Sequence, residues 1–148
     1  MALLDGRLEF SDGQAVTSIS SGSTTISTDV IDFGASATDG WGSTLKNNTG
    51  GDLRWHVRVN VALVGAGAAI HALLQTHTTA TTTSGTTIAT IVIPALSASG
   101  WKRSMTVPTG GMYRYLGVGY KASGAKLTSA TFDSWLGFGD DQNPAATL

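Results

Sequence analysis

The chain contains three histidines, and their spacing decides whether a metal site is expected. They are His56, His71 and His77. His71 and His77 share one face of a predicted strand, but six residues separate them, which corresponds to about 20 Å at about 3.3 Å per residue. One metal ion cannot bridge that distance, and no acidic residue stands near a histidine in the H-x-H spacing typical of cupins. We therefore predict no metal site and interpret the histidines as residues of polar strand faces.

Motifs of nucleophilic and phosphate chemistry are missing from the sequence. It contains no cysteine, no G-x-S-x-G, no G-x-x-x-x-G-K-[ST] and no H-E-x-x-H. Acidic residues are scattered, and because carboxylates can meet in space, a glycosidase-type pair stays an open alternative. These acids are Asp29, Asp32, Asp39, Asp52 and Asp133. We predict a protein that is not an enzyme and has no cofactor.

A short basic stripe is the clearest charged feature of the sequence. In the segment from Asp52 to Val64, apolar and polar residues alternate, as in a strand with one buried face. The residues predicted to be buried are Leu53, Trp55, Val57, Val59, Val61 and Leu63, and those on the opposite face include Arg54, His56 and Arg58. The stripe is either solvated or paired with an acidic surface on a neighbouring subunit.

The overall charge argues against two classes of partner. Nine basic and ten acidic residues give a net charge of −1, so no strong field attracts nucleic acid or an anionic membrane. Charged residues make up 13% of the chain, against about 25% in ordinary soluble domains. A surface rich in Gly, Ser and Thr is suited to contact with neighbouring subunits. The alternative is that the composition is simply that of a Thr-rich β domain. No transmembrane run or signal pattern is found, so we expect a soluble protein made in the cytoplasm.

The elements that position these residues are predicted to be strands. The length of 148 residues suits one domain, and turn residues recur about every ten positions without a helical period. We predict an all-β jelly-roll or Greek-key β-sandwich of about eight antiparallel strands. Residues 1–17 are predicted to form an extended N-terminal arm, residues 18–139 the sandwich, and residues 140–148 a flexible C-terminal tail.

The segment from Tyr113 to Phe138 is predicted to be the centre of this fold. Its two halves are rich in aromatic and β-branched residues, and Ala122 to Ala125 separate them. This pattern predicts an antiparallel hairpin. A hairpin so apolar needs a second sheet to cover it.

Two other stretches carry apolar residues whose role is open. In the arm, Leu3, Leu4, Leu8 and Phe10 pack either on their own domain or on a partner subunit. Trp41, in the Gly-rich stretch from Ala35 to Gly51, either caps the sandwich or makes an external contact.

Four segments resemble the jelly-roll capsid cement, or decoration, proteins of tailed bacteriophages. They are LLDGRLEFSDGQAVT near the amino terminus, TDVIDFG, ALLQTHTT, and RYLGVGYKASGAKLTSATFDSWL near the carboxyl terminus. Their order from Leu3 to Leu136 matches that family, while Trp41, Trp101 and the Gly-rich stretch depart from it.

The resemblance implies a virion protein on the outer surface of an icosahedral head, which bridges major capsid protein subunits and stabilises the shell against packed DNA. It also implies a homodimer or homotrimer. The expected capsid-binding residues are Leu3, Leu4, Leu8, Phe10, Trp41, Arg54 and Arg58. The alternative hypotheses are a carbohydrate-binding jelly roll for host adhesion, based on Trp41 and Trp101, and a small cupin-like enzyme.

Overall fold

A computed structural model describes residues 9–32, 53–79, 85–108 and 113–138. Within these ranges the chain forms nine strands and no helix. The strands are β1 (Glu9–Ile19), β2 (Thr24–Ile26), β3 (Ile31–Asp32), β4 (Leu53–Gly65), β5 (Ala69–His77), β6 (Thr86–Ile93), β7 (Lys102–Thr106), β8 (Tyr115–Ser123) and β9 (Leu127–Phe138). None of the described residues belongs to an apolar helix of membrane-spanning length.

The strands form two antiparallel sheets that face each other. The four-stranded sheet has the order β1-β9-β4-β7, and the five-stranded sheet has the order β2-β8-β5-β6 with β3 also paired to β8. Apart from β2 to β3 and β5 to β6, each strand is followed by a strand of the opposite sheet, which is the alternation of a jelly roll. The prediction of an all-β sandwich of about eight antiparallel strands is confirmed.

The two strands of the Tyr113–Phe138 segment do not form the predicted hairpin. β8 pairs with β5 and β9 pairs with β4, so the connection between them crosses from one sheet to the other. Tyr120 of β8 instead meets Phe132 of β9 across the interior, with ring centroids 4.7 Å apart. The sequence of a glycine-containing turn between two apolar strands does not show whether the strands pair in one sheet or lie in opposite sheets. A connection between the sheets is favoured here because it buries each strand at the centre of its own sheet.

Part of the predicted arm is a strand of the sandwich. β1 pairs with β9 from Glu9 to Ile19, with register shifts on both sides of Ser11. Gly13 has a positive φ of 57°, so Asp12 and Gly13 lie in a bulge within a strand. The backbone NH of Gly13 donates to Oδ1 of Asp133 at 2.6 Å, which fixes the bulge against β9. Residues 1–8 and the predicted tail at 140–148 lie outside the described residues.

β4 supplies much of the core through the predicted alternation, with one exception. Leu53, Trp55, Val57 and Val59 are buried, but Val61 is 54% exposed. The pairing of β4 with β9 is irregular after Val59, and an extra residue in one strand changes which face the following side chains occupy. The prediction for Val61 is therefore wrong.

Candidate interaction surfaces

The seven residues expected to bind a capsid do not form one group in the structure. Leu3, Leu4, Leu8 and Trp41 lie outside the described residues. Phe10 is fully buried in the core, because β1 is paired in the sheet and turns this side chain inward. Its side chain therefore stabilises its own domain and offers no external contact, which corrects its assignment to the capsid-binding residues.

Arg54 and Arg58 lie, as predicted, on the face of the four-stranded sheet that points away from the core. Both side chains are half-buried. Nη2 of Arg54 donates to Oγ of Ser104 on β7 at 3.3 Å, and Arg58 stands opposite Asp133 of β9 and Lys102 of β7 in the strand register. The two arginines are thus positioned by three neighbouring strands.

An aromatic pair separates the two arginines on this face. His56 and Trp135 are direct cross-strand neighbours, and their rings stack with centroids 5.1 Å apart at an interplanar angle of 6°. His56 is only 2% exposed and Trp135 only 1% exposed. Nε1 of Trp135 and the Nε atoms of Arg54 and Arg58 are buried without a hydrogen-bond partner. Buried donors are nearly always paired in folded proteins, so three on one face are unusual.

An exposed leucine occupies a strained turn beside β4. Leu96 has a φ of 60° and is 67% exposed. The turn is closed by Ser97, whose backbone NH and Oγ donate to the Pro94 carbonyl at 3.3 Å and 2.7 Å. Glycine or asparagine is normal where a turn requires positive φ, because other L-residues are strained there.

The Leu96 turn adjoins other exposed apolar residues. The backbone NH of Leu63 donates to the Ser97 carbonyl at 3.0 Å, which holds the turn against the end of β4. Val61 and Val64 in this part of β4 are 54% and 51% exposed. We refer to Leu96, Val61 and Val64 as the leucine-turn surface.

Sequence reasoning missed the leucine-turn surface. In the sequence, Pro94 by itself indicates only the end of a strand, and the alternation along β4 predicts that Val61 is buried. The available signal was a turn sequence, Pro94-Ala95-Leu96-Ser97, that lacks the expected glycine.

Trp101 does not offer an exposed aromatic ring. It is half-buried and packs against the hydrophobic core. The carbohydrate hypothesis therefore loses one of its two supporting tryptophans, and the other, Trp41, lies outside the described residues.

The histidines are dispersed over the described part of the chain. His56 belongs to the four-stranded sheet, while His71 and His77 belong to β5 of the other sheet. Among the described residues, no three His, Asp or Glu side chains gather where they could hold a metal ion. His77 is 6% exposed and lies in the wall of a small cavity with several threonines.

Comparison with known protein families gives a match over most of the chain. A family model described as Bbp16 matches residues 10–136, a range that begins in β1 and ends in β9. Comparison with curated proteins gives no match.

Proposed function

The chain belongs to the Bbp16 family, and from this premise we propose that it is a capsid cement protein. In this proposal it is a virion structural protein without enzymatic activity, made in the cytoplasm of a bacterial host. It binds the outer surface of an icosahedral phage head and bridges subunits of the major capsid protein. The four ordered segments that resemble phage cement proteins support the proposal, and the jelly-roll topology agrees with it.

The observation that carries the proposal is the leucine-turn surface. Full burial of a leucine stabilises by about 2 kcal/mol, and Leu96 leaves most of its side chain available for such burial. Positive φ in a residue other than glycine costs about 1–3 kcal/mol and is common at ligand contacts. The strained backbone at an exposed apolar residue therefore supports a role of this turn in contact with another protein.

We also propose that Arg54 and Arg58, on the outer face of the four-stranded sheet, make polar contacts with the capsid. Their half-buried guanidinium groups would meet acceptors of a capsid subunit, since arginine forms directional bonds to carboxylates.

Adhesion of this kind stabilises a shell by mass action. A protein that binds the assembled lattice in preference to free subunits contributes about 4 kcal/mol per occupied site when its concentration is a thousand times the Kd. Many sites on one head act together. Assembly as a homodimer or homotrimer would place two or three leucine-turn surfaces on one oligomer. The proposal includes no contact with nucleic acid or a membrane.

The test is occupancy of phage heads by Leu96→Gly. The substitution removes the apolar side chain and relieves the strained φ, so it separates binding from folding. We expect a variant that folds at least as well as the wild type but is depleted from purified heads, as measured by quantitative gel analysis of particles.

Val92→Thr is the matched control, because Val92 is an exposed valine of the five-stranded sheet. It should leave occupancy unchanged. Equal occupancy by wild type and Leu96→Gly would reject the leucine-turn surface, and absence of the wild-type protein from intact particles would reject the cement function.

A further inference from the structure

β6 forms an edge of the five-stranded sheet. Among the described strands it pairs only with β5, and no backbone hydrogen bond from the described loops and turns reaches its other side. A row of backbone NH and carbonyl groups left open in this way is a template for pairing with a further extended strand. The pairing with β5 shifts register beside Ile88 and is regular from Ala89 to Ile93, so the template extends over this regular part.

The composition of this regular part favours pairing. The sequence of β6 is TTIATIVI, which contains no charged residue, no proline and no glycine. From Ala89 onward every residue but the first is β-branched, a class enriched in strands. Uncharged segments of this kind pair edge to edge unless something blocks them. Thr90 is exposed and Val92 is 43% exposed, so the outer face of the edge is accessible.

Three of the other edge strands are blocked by charge or by their short length. β7 carries the adjacent cations Lys102 and Arg103, and charged side chains are a usual means of keeping an edge strand from pairing. β2 and β3 are only three and two residues long. Very short edge strands offer too few backbone groups to hold a further strand.

The edge of β1 is blocked by the chain itself. The backbone NH of Asp29 donates to the Phe10 carbonyl at 3.0 Å. The side chain of Gln14 donates to the Ile26 carbonyl at 2.8 Å and accepts from the backbone NH of Thr28 at 3.0 Å. The segment that follows β2 therefore occupies part of the open side of β1. Among the described edge strands, β6 alone is neither charged, nor very short, nor bonded on its open side.

We propose that β6 pairs with β6 of a second copy of this chain, antiparallel and centred on Ile91, so that the two five-stranded sheets become one continuous sheet. An uncharged, β-branched edge is matched best by a strand of the same kind, and every copy presents one. An antiparallel pair of identical strands has two-fold symmetry, the commonest symmetry of homo-oligomers. Because such a pair joins two copies, it selects the dimer from the two oligomers of the proposed function.

The register centred on Ile91 matches side chains on both faces of the sheet. On the outer face, Thr90 of each copy lies opposite Val92 of the other, so the exposed valine gains a β-branched neighbour. On the core side, the small Ala89 lies opposite Ile93. Cross-strand pairs of this kind stabilise antiparallel strands, and the pairing removes no charge from water.

The test is the mass of the purified full chain by sedimentation equilibrium over a range of concentrations, together with hydrogen exchange at the same concentrations. We expect the wild type to form a dimer. Exchange in peptides from β6 should slow as the dimer forms, because backbone pairing protects amides, and peptides from β7 should exchange at a constant rate. The test uses no phage heads, so the inference can fail while attachment to the capsid stands.

Two double variants test the register. Thr90→Lys with Val92→Lys places ammonium groups opposite each other on both sides of the two-fold axis. Like charges in this position are destabilising, and the dimer Kd should rise about tenfold. Thr90→Glu with Val92→Lys is the matched control, since it places a carboxylate opposite each ammonium group at the same two positions. It should form the dimer as the wild type does.

Three results would overturn the inference. They are a wild type that stays monomeric, an oligomer whose formation leaves exchange in β6 unchanged, and equal weakening of the dimer by both double variants. A monomeric wild type whose β6 is protected only on phage heads would assign this edge to a strand of the capsid protein instead.

Discussion

Tyr120 shows how one buried hydroxyl joins the two sheets. The residue is fully buried, and its OH donates to Oγ of Ser11 on β1 at 2.9 Å. Ser11 in turn donates to Oε1 of Gln14 at 2.7 Å, and Nε2 of Gln14 donates to the Ile26 carbonyl at 2.8 Å. Because buried polar groups are costly when unpaired, this chain of bonds specifies how β1 and β2 sit relative to β8.

Tyr120→Phe should lower the free energy of unfolding by about 1 kcal/mol, since it removes one buried hydrogen bond and leaves the ring. Urea unfolding of Tyr120→Phe, Ser11→Ala and the double variant measures the coupling between the two residues. A coupling near zero would show that the bond does not stabilise the fold. Tyr113→Phe, at an exposed tyrosine, is the control and should change stability by less than about 0.5 kcal/mol.

His77 should make stability fall as the pH is lowered. Burial lowers its pKa in the folded state, whereas the unfolded chain takes up the proton near the ordinary value of about 6.5. The contribution of the neutral ring is therefore complete above pH 6.5 and is lost as the pH falls toward the folded-state pKa.

The measurement is the urea midpoint of wild type and His77→Gln at a series of pH values from above neutrality downward. The wild type should lose more stability than the variant across this range. His71→Gln, with His77 intact, should retain the wild-type loss. If the urea midpoints of wild type and His77→Gln fall by the same amount as the pH is lowered, burial of His77 does not make stability depend on pH.

At the scale of elements, turns decide where the chain departs from ideal strand geometry. The bulge at Gly13 and the turn at Leu96 both need positive φ, but only the first has the residue suited to it. A strained residue that stays in place usually serves a contact rather than stability.

Leu96→Gly should stabilise the free protein by about 0.5–1 kcal/mol. Relief of positive φ in an L-residue is worth roughly 1–2 kcal/mol, and the greater freedom of glycine in the unfolded chain offsets about 0.5–1 kcal/mol of that. Urea unfolding compares this variant with Ala95→Gly, which adds a glycine at the preceding position without relieving positive φ. If both variants lose stability equally, the turn is not strained.

Most strands could be predicted from sequence, but their pairing could not. β4 ends at Gly65 and β6 ends at Ile93, directly before Pro94, because alternation and turn residues are local signals. Which strand pairs with β8 depends on the packing of the whole core. A short turn is compatible both with a hairpin and with a connection between the two sheets. The leucine-turn surface depends on a bulge that shifts Val61 outward, and the His77 cavity on elements distant in sequence, so neither is visible in a local pattern.

At the scale of the whole molecule, a deletion that tests the N-terminal segment is informative only if the sandwich remains intact. Phe10 belongs to the core and Glu9 begins β1. A deletion that tests whether Leu3, Leu4 and Leu8 contribute to attachment must therefore end before Glu9.

Deletion of residues 2–8 should reduce occupancy on phage heads while the urea midpoint of the free protein stays near that of the wild type. Heads that carry the deleted protein should release DNA at a lower temperature than heads with the full chain, because fewer sites are occupied. Deletion of residues 2–10 is the comparison, since loss of Phe10 leaves a core cavity that costs about 3–5 kcal/mol. Full occupancy and unchanged heat resistance after the shorter deletion would show that the segment makes no attachment.

The order β1-β9-β4-β7 has a consequence for biosynthesis. β9 lies between β1 and β4, so in a nascent chain β1 has no partner among the described strands until β9 has been made. Until then the apolar face of β1 stays uncovered, whereas β4 can already pair with β7. Closure of the four-stranded sheet thus joins the first and the last of the described strands.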